Sequence, residues 1–135
     1  MIITRGVIKR TNLDFNSHVN IAEYVKFADQ SNNTLFKKIN LKKNIYFVAK
    51  KTFIENRSEL FDNEKWNIKS FIIKLDKVNV ITRHKMYNLS QKKIVSICNF
   101  LLIPLNKTDR KIKKMSNTQI SKLKKHFRKN YYNPF

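Results

Sequence analysis

The sequence predicts an α+β fold: one antiparallel β-sheet packed on a single long helix. Three observations carry this. A stretch of helical periodicity stands near the start of the chain, one β-prone run precedes it, and four follow it, the last three at hairpin spacing. With 135 residues, 41% of them hydrophobic, the chain can build one real core. The expectation is a single domain over 1–135, with a basic extension from about 107 to 135.

The elements follow in order. Ile2 to Ile8 is a short β-prone run anchored by Ile3, Val7 and Ile8. A polar stretch then leads to Asn20, a good N-cap, with Glu23 placed to complete a capping box. Ile21, Tyr24, Val25, Ala28, Leu35, Phe36 and Ile39 fall on one helical face, so a helix is expected over about 21–38, roughly 27 Å long. Ile45 to Ile54 is rich in β-branched and aromatic residues. Three longer strands are expected from Trp66 to about Leu75, from Val78 to Tyr87 and from Lys93 to Leu105. The last is apolar on both faces, like a central strand covered twice. Ser116 and Gln119 frame a second capping box, and Ile120, Leu123 and Phe127 give a narrow stripe for a basic terminal helix over about 117–129.

The chemistry concentrates just ahead of the first helix, where Asp14, Asn16 and His18 stand on alternate residues. A helix start offers unpaired N–H groups and a positive dipole end, which favour a developing negative charge. An acid, an amide and an imidazole beside such a helix end suit hydrolysis. Read singly, each residue has a plain structural role: Asp14 as a turn former, Asn16 as a left-handed loop residue, His18 bonded to backbone. As a constellation they point to function.

This window, D-x-N-x-H-V-N-x-x-x-Y from Asp14 to Tyr24, resembles the signature of hotdog-fold acyl thioesterases, in particular the acyl-ACP and acyl-CoA branches, including those like 4-hydroxybenzoyl-CoA thioesterase. Asp14, Asn16, His18, Val19, Asn20 and Tyr24 match, and Ile21 replaces the usual second Asn. The resemblance implies a sheet wrapped around one long central helix, and catalytic roles for Asp14, Asn16 and His18. It adds a Glu in an Arg-x-Glu context on the next strand, here Glu59 after Arg57, with Glu55 as the fallback. Asp14 or Glu59 is then expected as general base or nucleophile, with Asn16 orienting substrate or water and His18 assisting. Backbone N–H groups around Val19, Asn20, Ile21 and Ala22 would hold the oxyanion, with Tyr24 beside the substrate. No cofactor is implied, coenzyme A or phosphopantetheine entering as part of an acyl-CoA or acyl carrier protein substrate. The family pairs edge to edge, so a homodimer or tetramer is expected.

Other chemistries find little support. His84 and His126 lack partners at ligand spacing, so no metal site is expected. One Gly in the chain argues against glycine-rich phosphate loops. Cys98 lies in an apolar run, a buried hydrophobe in a reducing compartment rather than a nucleophile. No signal peptide and no apolar run long enough to span a bilayer are evident, so the expected location is cytoplasmic and off the membrane.

The formal charge of +20, from 29 Lys and Arg against 9 acids, favours phosphate-bearing or acidic partners. The abundance of Lys, Asn and Ile beside a single Gly is also the drift that AT-rich coding produces, and that is the larger cause. A non-catalytic hotdog protein binding acyl thioesters or another small ligand is the alternative. A basic nucleic-acid binder is a weaker one, and a 3-hydroxyacyl dehydratase matches poorly.

Overall fold

A computed structural model of the chain describes residues 1–41 and 44–129, so positions 42–43 of the predicted connector and 130–135 of the predicted extension lie outside it. The order is β1 (Ile2–Val7), a 3₁₀ turn (Arg10–Asn12), α1 (Ile21–Ile39), β2 (Ile45–Asn56), β3 (Lys65–Leu75), β4 (Val80–Asn88), β5 (Lys93–Asn106) and α2 (Asn117–Lys124). The strands form one antiparallel sheet in the order β1-β3-β4-β5-β2, with α1 packed against β1, β3, β4 and β5. The expected α+β class and the antiparallel sheet are both present.

Asn20 caps α1, its side chain accepting from Ala22 N–H at 2.9 Å. The expected capping box does not close. Glu23 instead accepts from Asn12 Nδ2 at 3.2 Å, tying the helix start to the 3₁₀ turn. The helix ends at Asn40, whose left-handed conformation (φ 53°) suits a short polar side chain.

The face that α1 buries differs from the apolar stripe in the sequence. Tyr24, Phe27, Ala28, Ser31, Asn32, Leu35 and Ile39 point inward, whereas Ile21 is 57% exposed. Two of the inward residues are polar because the sheet offers them partners: Ser31 pairs with Thr4 at 2.6 Å and Asn32 with Thr82 at 2.9 Å.

The core divides along α1. One cluster joins Leu35 and Ile39 to β4, β5 and α2 through Val80, Phe100, Leu102 and Leu123. The other joins Tyr24 and Phe27 to Ile8, Val19, Leu60 and Trp66, beneath the start of the helix. There the only glycine is needed for close approach. A Cβ at Gly6 would come within 2.3 Å of the Trp66 ring, which also meets Phe27 at 4.8 Å. Gly6→Ala is expected to destabilise the fold by roughly 1–3 kcal/mol through overpacking, read as a lowered urea midpoint.

β5 is buried from Val95 to Phe100 and flanked by β4 and β2, so it lies inside the sheet next to the edge, and β4 rather than β5 takes the central place expected of it. β2 forms an open edge, with Lys50 unpaired in a bulge between Ala49 and Lys51. The terminal helix stops earlier than its apolar stripe suggests. The Ser116–Gln119 capping box closes, but α2 ends at Lys124 and Phe127 leaves the helix to bridge Ile72. β1 covers β3 only as far as Ser70, leaving the Ile72 backbone open. Ile72 N–H donates to His126 O at 2.9 Å and its carbonyl accepts from Arg128 N–H at 2.8 Å. These bonds outweigh further helix.

Candidate active site

Residues 13–19 form a tight loop closed by a Leu13–Val19 bridge. Asp14 organises it. Its Oδ1 accepts the N–H groups of Asn16 at 2.9 Å and His18 at 3.1 Å, and its own N–H donates to His18 O at 2.8 Å. The left-handed residue is Ser17 (φ 60°), one position beyond the Asn16 expected. Both roles read for Asp14 are compatible: one oxygen shapes the turn, and Oδ2 makes no bond within the described chain. The Asn16 side chain likewise has no described partner and is exposed.

His18 meets Glu59. Nδ1 and Glu59 Oε1 lie 2.6 Å apart across 41 residues of sequence, with the two side chains 52% and 54% exposed. Glu59 is thus the acid that reaches the loop, while Glu55 pairs with Arg57 at 2.9 Å. The segment carrying Glu59 is pinned on both sides. Arg57 N–H donates to Val95 O at 2.8 Å, Ser58 Oγ donates to Ile94 O at 2.8 Å, and Leu60 N–H donates to Tyr24 Oη at 3.2 Å. With a carboxylate on Nδ1, a neutral imidazole carries its proton there and leaves the Nε2 lone pair open.

Tyr24, expected beside the substrate, lies beneath this segment. It is 6% exposed in the core, and burial raises its phenol pKa above the ordinary value. Its hydroxyl positions Leu60 and hence Glu59. Tyr24→Phe is expected to leave the buried Leu60 N–H unpaired, costing about 1–3 kcal/mol in denaturant titration. Any activity that depends on Glu59 should fall by about tenfold with it.

The predicted oxyanion donors are reduced by local bonding. Ala22 N–H is held by Asn20 Oδ1 and Glu23 N–H by Asn20 O at 2.9 Å. Ile21, at the first helical position, keeps an N–H with no partner inside the helix. Val19 is 8% exposed and anchors the loop in the core. In front of the loop, Arg10, Leu13, Asp14, Ser17, Phe61 and Asp62 line a cleft of about 610 Å³, with Arg10 and Asp62 paired at 3.7 Å.

Elsewhere, burial holds the His84 pKa down to about 3 and pushes the Cys98 thiol up to about 12, so neither offers an imidazolium or a thiolate near neutrality. Among the described residues no cluster of His, Cys, Asp and Glu could hold a metal, and no helix is long and apolar enough to cross a membrane.

Comparison with known proteins converges on one family. The model of the Thioesterase-like superfamily matches residues 9–126, from just before the 3₁₀ turn to just past α2. No curated protein matches the chain at a significant level. Among solved structures, the probable thioesterase YbaW from Escherichia coli superposes with a TM-score of 0.79 at 17% identity, covering 93% of this chain and 98% of its own. A 1,4-dihydroxy-2-naphthoyl-CoA thioesterase from Synechocystis gives 0.76 at 8% identity, covering 90% and 96%. A 12:0-ACP thioesterase from Umbellularia californica gives 0.81 at 10% identity, covering 95% of this chain and 51% of that one. At these identities the likeness is one of fold.

Proposed function

Because the chain belongs to the thioesterase-like superfamily, we propose that it hydrolyses acyl-CoA or acyl-ACP thioesters to a free acid and a thiol. The observation that carries this reading is the 2.6 Å His18–Glu59 contact, which joins a carboxylate in the loop just after β2, rather than on the strand itself, to the Asp14 loop at the start of α1. Asp14 Oδ2 takes a proton from water while two backbone N–H bonds to Oδ1 hold the carboxylate still. The water oxygen attacks the thioester carbonyl carbon, and the resulting oxyanion is stabilised at the helix start by the Ile21 N–H. The C–S bond then breaks; the thiolate leaves readily and takes up the proton. Asn16 orients water or substrate, and His18, steadied by Glu59, adjoins the reacting carbonyl through Nε2. Coenzyme A or phosphopantetheine enters only as part of the substrate, and the basic surface favours its phosphates.

The active assembly in this reading is a homodimer paired along β2, whose 12 residues form an open sheet edge. Antiparallel pairing about the strand's midpoint sets Ile45 opposite Asn56 of the second copy. That arrangement brings the end of one α1 towards the Glu59 segment of the other.

Thiol release from short-, medium- and long-chain acyl-CoAs, an aryl-CoA and acyl-ACPs tests the proposal. Release that depends on Asp14 is expected. No release from any thioester by the folded dimer overturns it in favour of a binding protein.

A further inference from the structure

A second cleft, also of about 610 Å³, lies between the C-terminal half of α1 and the start of β2. Asn32, Phe36, Leu41 and Phe47 line it, with Lys37 and Lys107 alongside. Phe36 and Phe47 meet with ring centroids 4.7 Å apart and planes tilted by 35°, forming an aromatic wall. Among the described residues no carboxylate lines this cleft.

Asn32 makes it selective. A line of buried polar side chains runs from the sheet to this residue: Ser70 to His84 Nδ1 at 2.8 Å, His84 Nε2 to Thr82 at 3.1 Å, and Thr82 Oγ1 to Asn32 Oδ1 at 2.9 Å. Each bond dictates the next. The Thr82 hydroxyl donates to Asn32 Oδ1, so it accepts from His84 Nε2–H, and Nδ1 in turn accepts from the Ser70 hydroxyl. Burial keeps the ring neutral, which preserves this order. The line ends at the Asn32 amide nitrogen. Asn32 is 7% exposed, yet Nδ2 makes no bond within the described chain and is not sealed from solvent. The residue therefore presents a fixed donor to the cleft.

We propose that Asn32 determines specificity: the cleft holds the acyl group of the substrate, and the Asn32 amide selects acyl groups that carry a hydrogen-bond-accepting oxygen over unsubstituted ones. This rests on the thioesterase reading and on the β2-paired dimer, which sets the cleft of one copy beside the reacting loop of the other. An amide donor open to solvent is satisfied by water. A hydrocarbon acyl group that displaces this water leaves a buried donor unpaired, whereas an oxygen at the same place restores the bond. The two rings offer offset or edge contacts to an aryl acyl group, and the two lysines favour the electron-rich oxygen.

The test uses substrate pairs in which an ether oxygen replaces a methylene with little change of shape: 4-methoxybenzoyl- against 4-ethylbenzoyl-CoA, and 4-methoxycinnamoyl- against 4-ethylcinnamoyl-CoA. The kcat/KM ratio within each pair is measured, along with Kd for the corresponding non-hydrolysable thioethers. The oxygen-bearing member of at least one pair is expected to be favoured by roughly three- to tenfold, the yield of one hydrogen bond. That preference should vanish in Asn32→Leu. Thr82→Val, which frees Asn32 Oδ1 and lets the amide turn, should shrink it without removing any cleft wall, and serves if Asn32→Leu does not fold. Ratios near one in the wild type, or a preference that survives both substitutions, overturn the proposal. Discriminating thioether binding without turnover of any thioester would overturn the hydrolase reading while leaving the selectivity of Asn32 standing.

Discussion

Asp14→Asn should lower thiol release by about 10²–10⁴-fold while leaving the folded protein's denaturation midpoint nearly unchanged. The separation of effects follows from the loop's bonding. Oδ1 accepts from Asn16 N–H and His18 N–H, and an asparagine oxygen can accept both bonds in the same geometry. Only the basic oxygen Oδ2 is replaced. Asp14→Ala, by contrast, removes the acceptor as well and should cost stability. Glu59→Gln removes the negative charge facing His18 Nδ1 without removing bulk and is expected to cost at least tenfold in kcat. Glu55→Gln is the control. Its carboxylate pairs with Arg57, not with the loop, so activity should stay within about twofold. Equal losses for Glu55 and Glu59 variants would remove Glu59 from the site.

The second large effect concerns acid. The ring of His84 is 1% exposed, and burial holds its pKa down to about 3 from an ordinary 6.5. The folded state therefore keeps the ring neutral while the unfolded chain protonates it below pH 6.5. Because the unfolded state binds the extra proton, stability falls as pH falls. The loss runs at about 1.4 kcal/mol per pH unit between pH 6.5 and 3, reaching on the order of 4–5 kcal/mol from this one group. Above pH 6.5 it vanishes. Urea titrations from pH 7 to 4 should show this slope in the wild type and a flatter one in His84→Gln, which can bridge Ser70 and Thr82 but does not titrate. Parallel slopes would mean that carboxylates alone govern the acid response.

The regular elements were legible because their signals are local. Alternation marked β3 and β4, unbroken apolarity marked β5, and cap residues marked the starts of both helices. The Asp14–His18 loop was legible as a group, since its residues are neighbours in sequence. What pairs with them was harder to read. That Glu59 rather than Glu55 meets His18 depends on anchors 36 residues away, such as Ser58 to Ile94 and Leu60 to Tyr24. The inward face of α1 was misread for a related reason. Ser31 and Asn32 are polar, and only Thr4 and Thr82 on distant strands make their burial favourable. The early end of α2 likewise reflects an open backbone at Ile72, which no property of residues 125–129 announces.

The bulge at Lys50 also sets the phase of everything after it. Before it, odd-numbered residues share a face with the core: Ile45, Phe47 and Ala49, the last opposite Leu102. After it, even-numbered residues do: Thr52 opposite Phe100, and Ile54 opposite Cys98. One surplus residue thus lets Ile45 and Ile54 line the same interior although an odd number of steps separates them. Deleting Lys50 would not merely shorten an exposed edge. It would invert the outward and inward sides of the strand's second half, turning Ile54 to solvent and handing the reversed phase to the segment that bears Glu59. In this edge strand length is conserved by parity: two residues can come or go where one cannot.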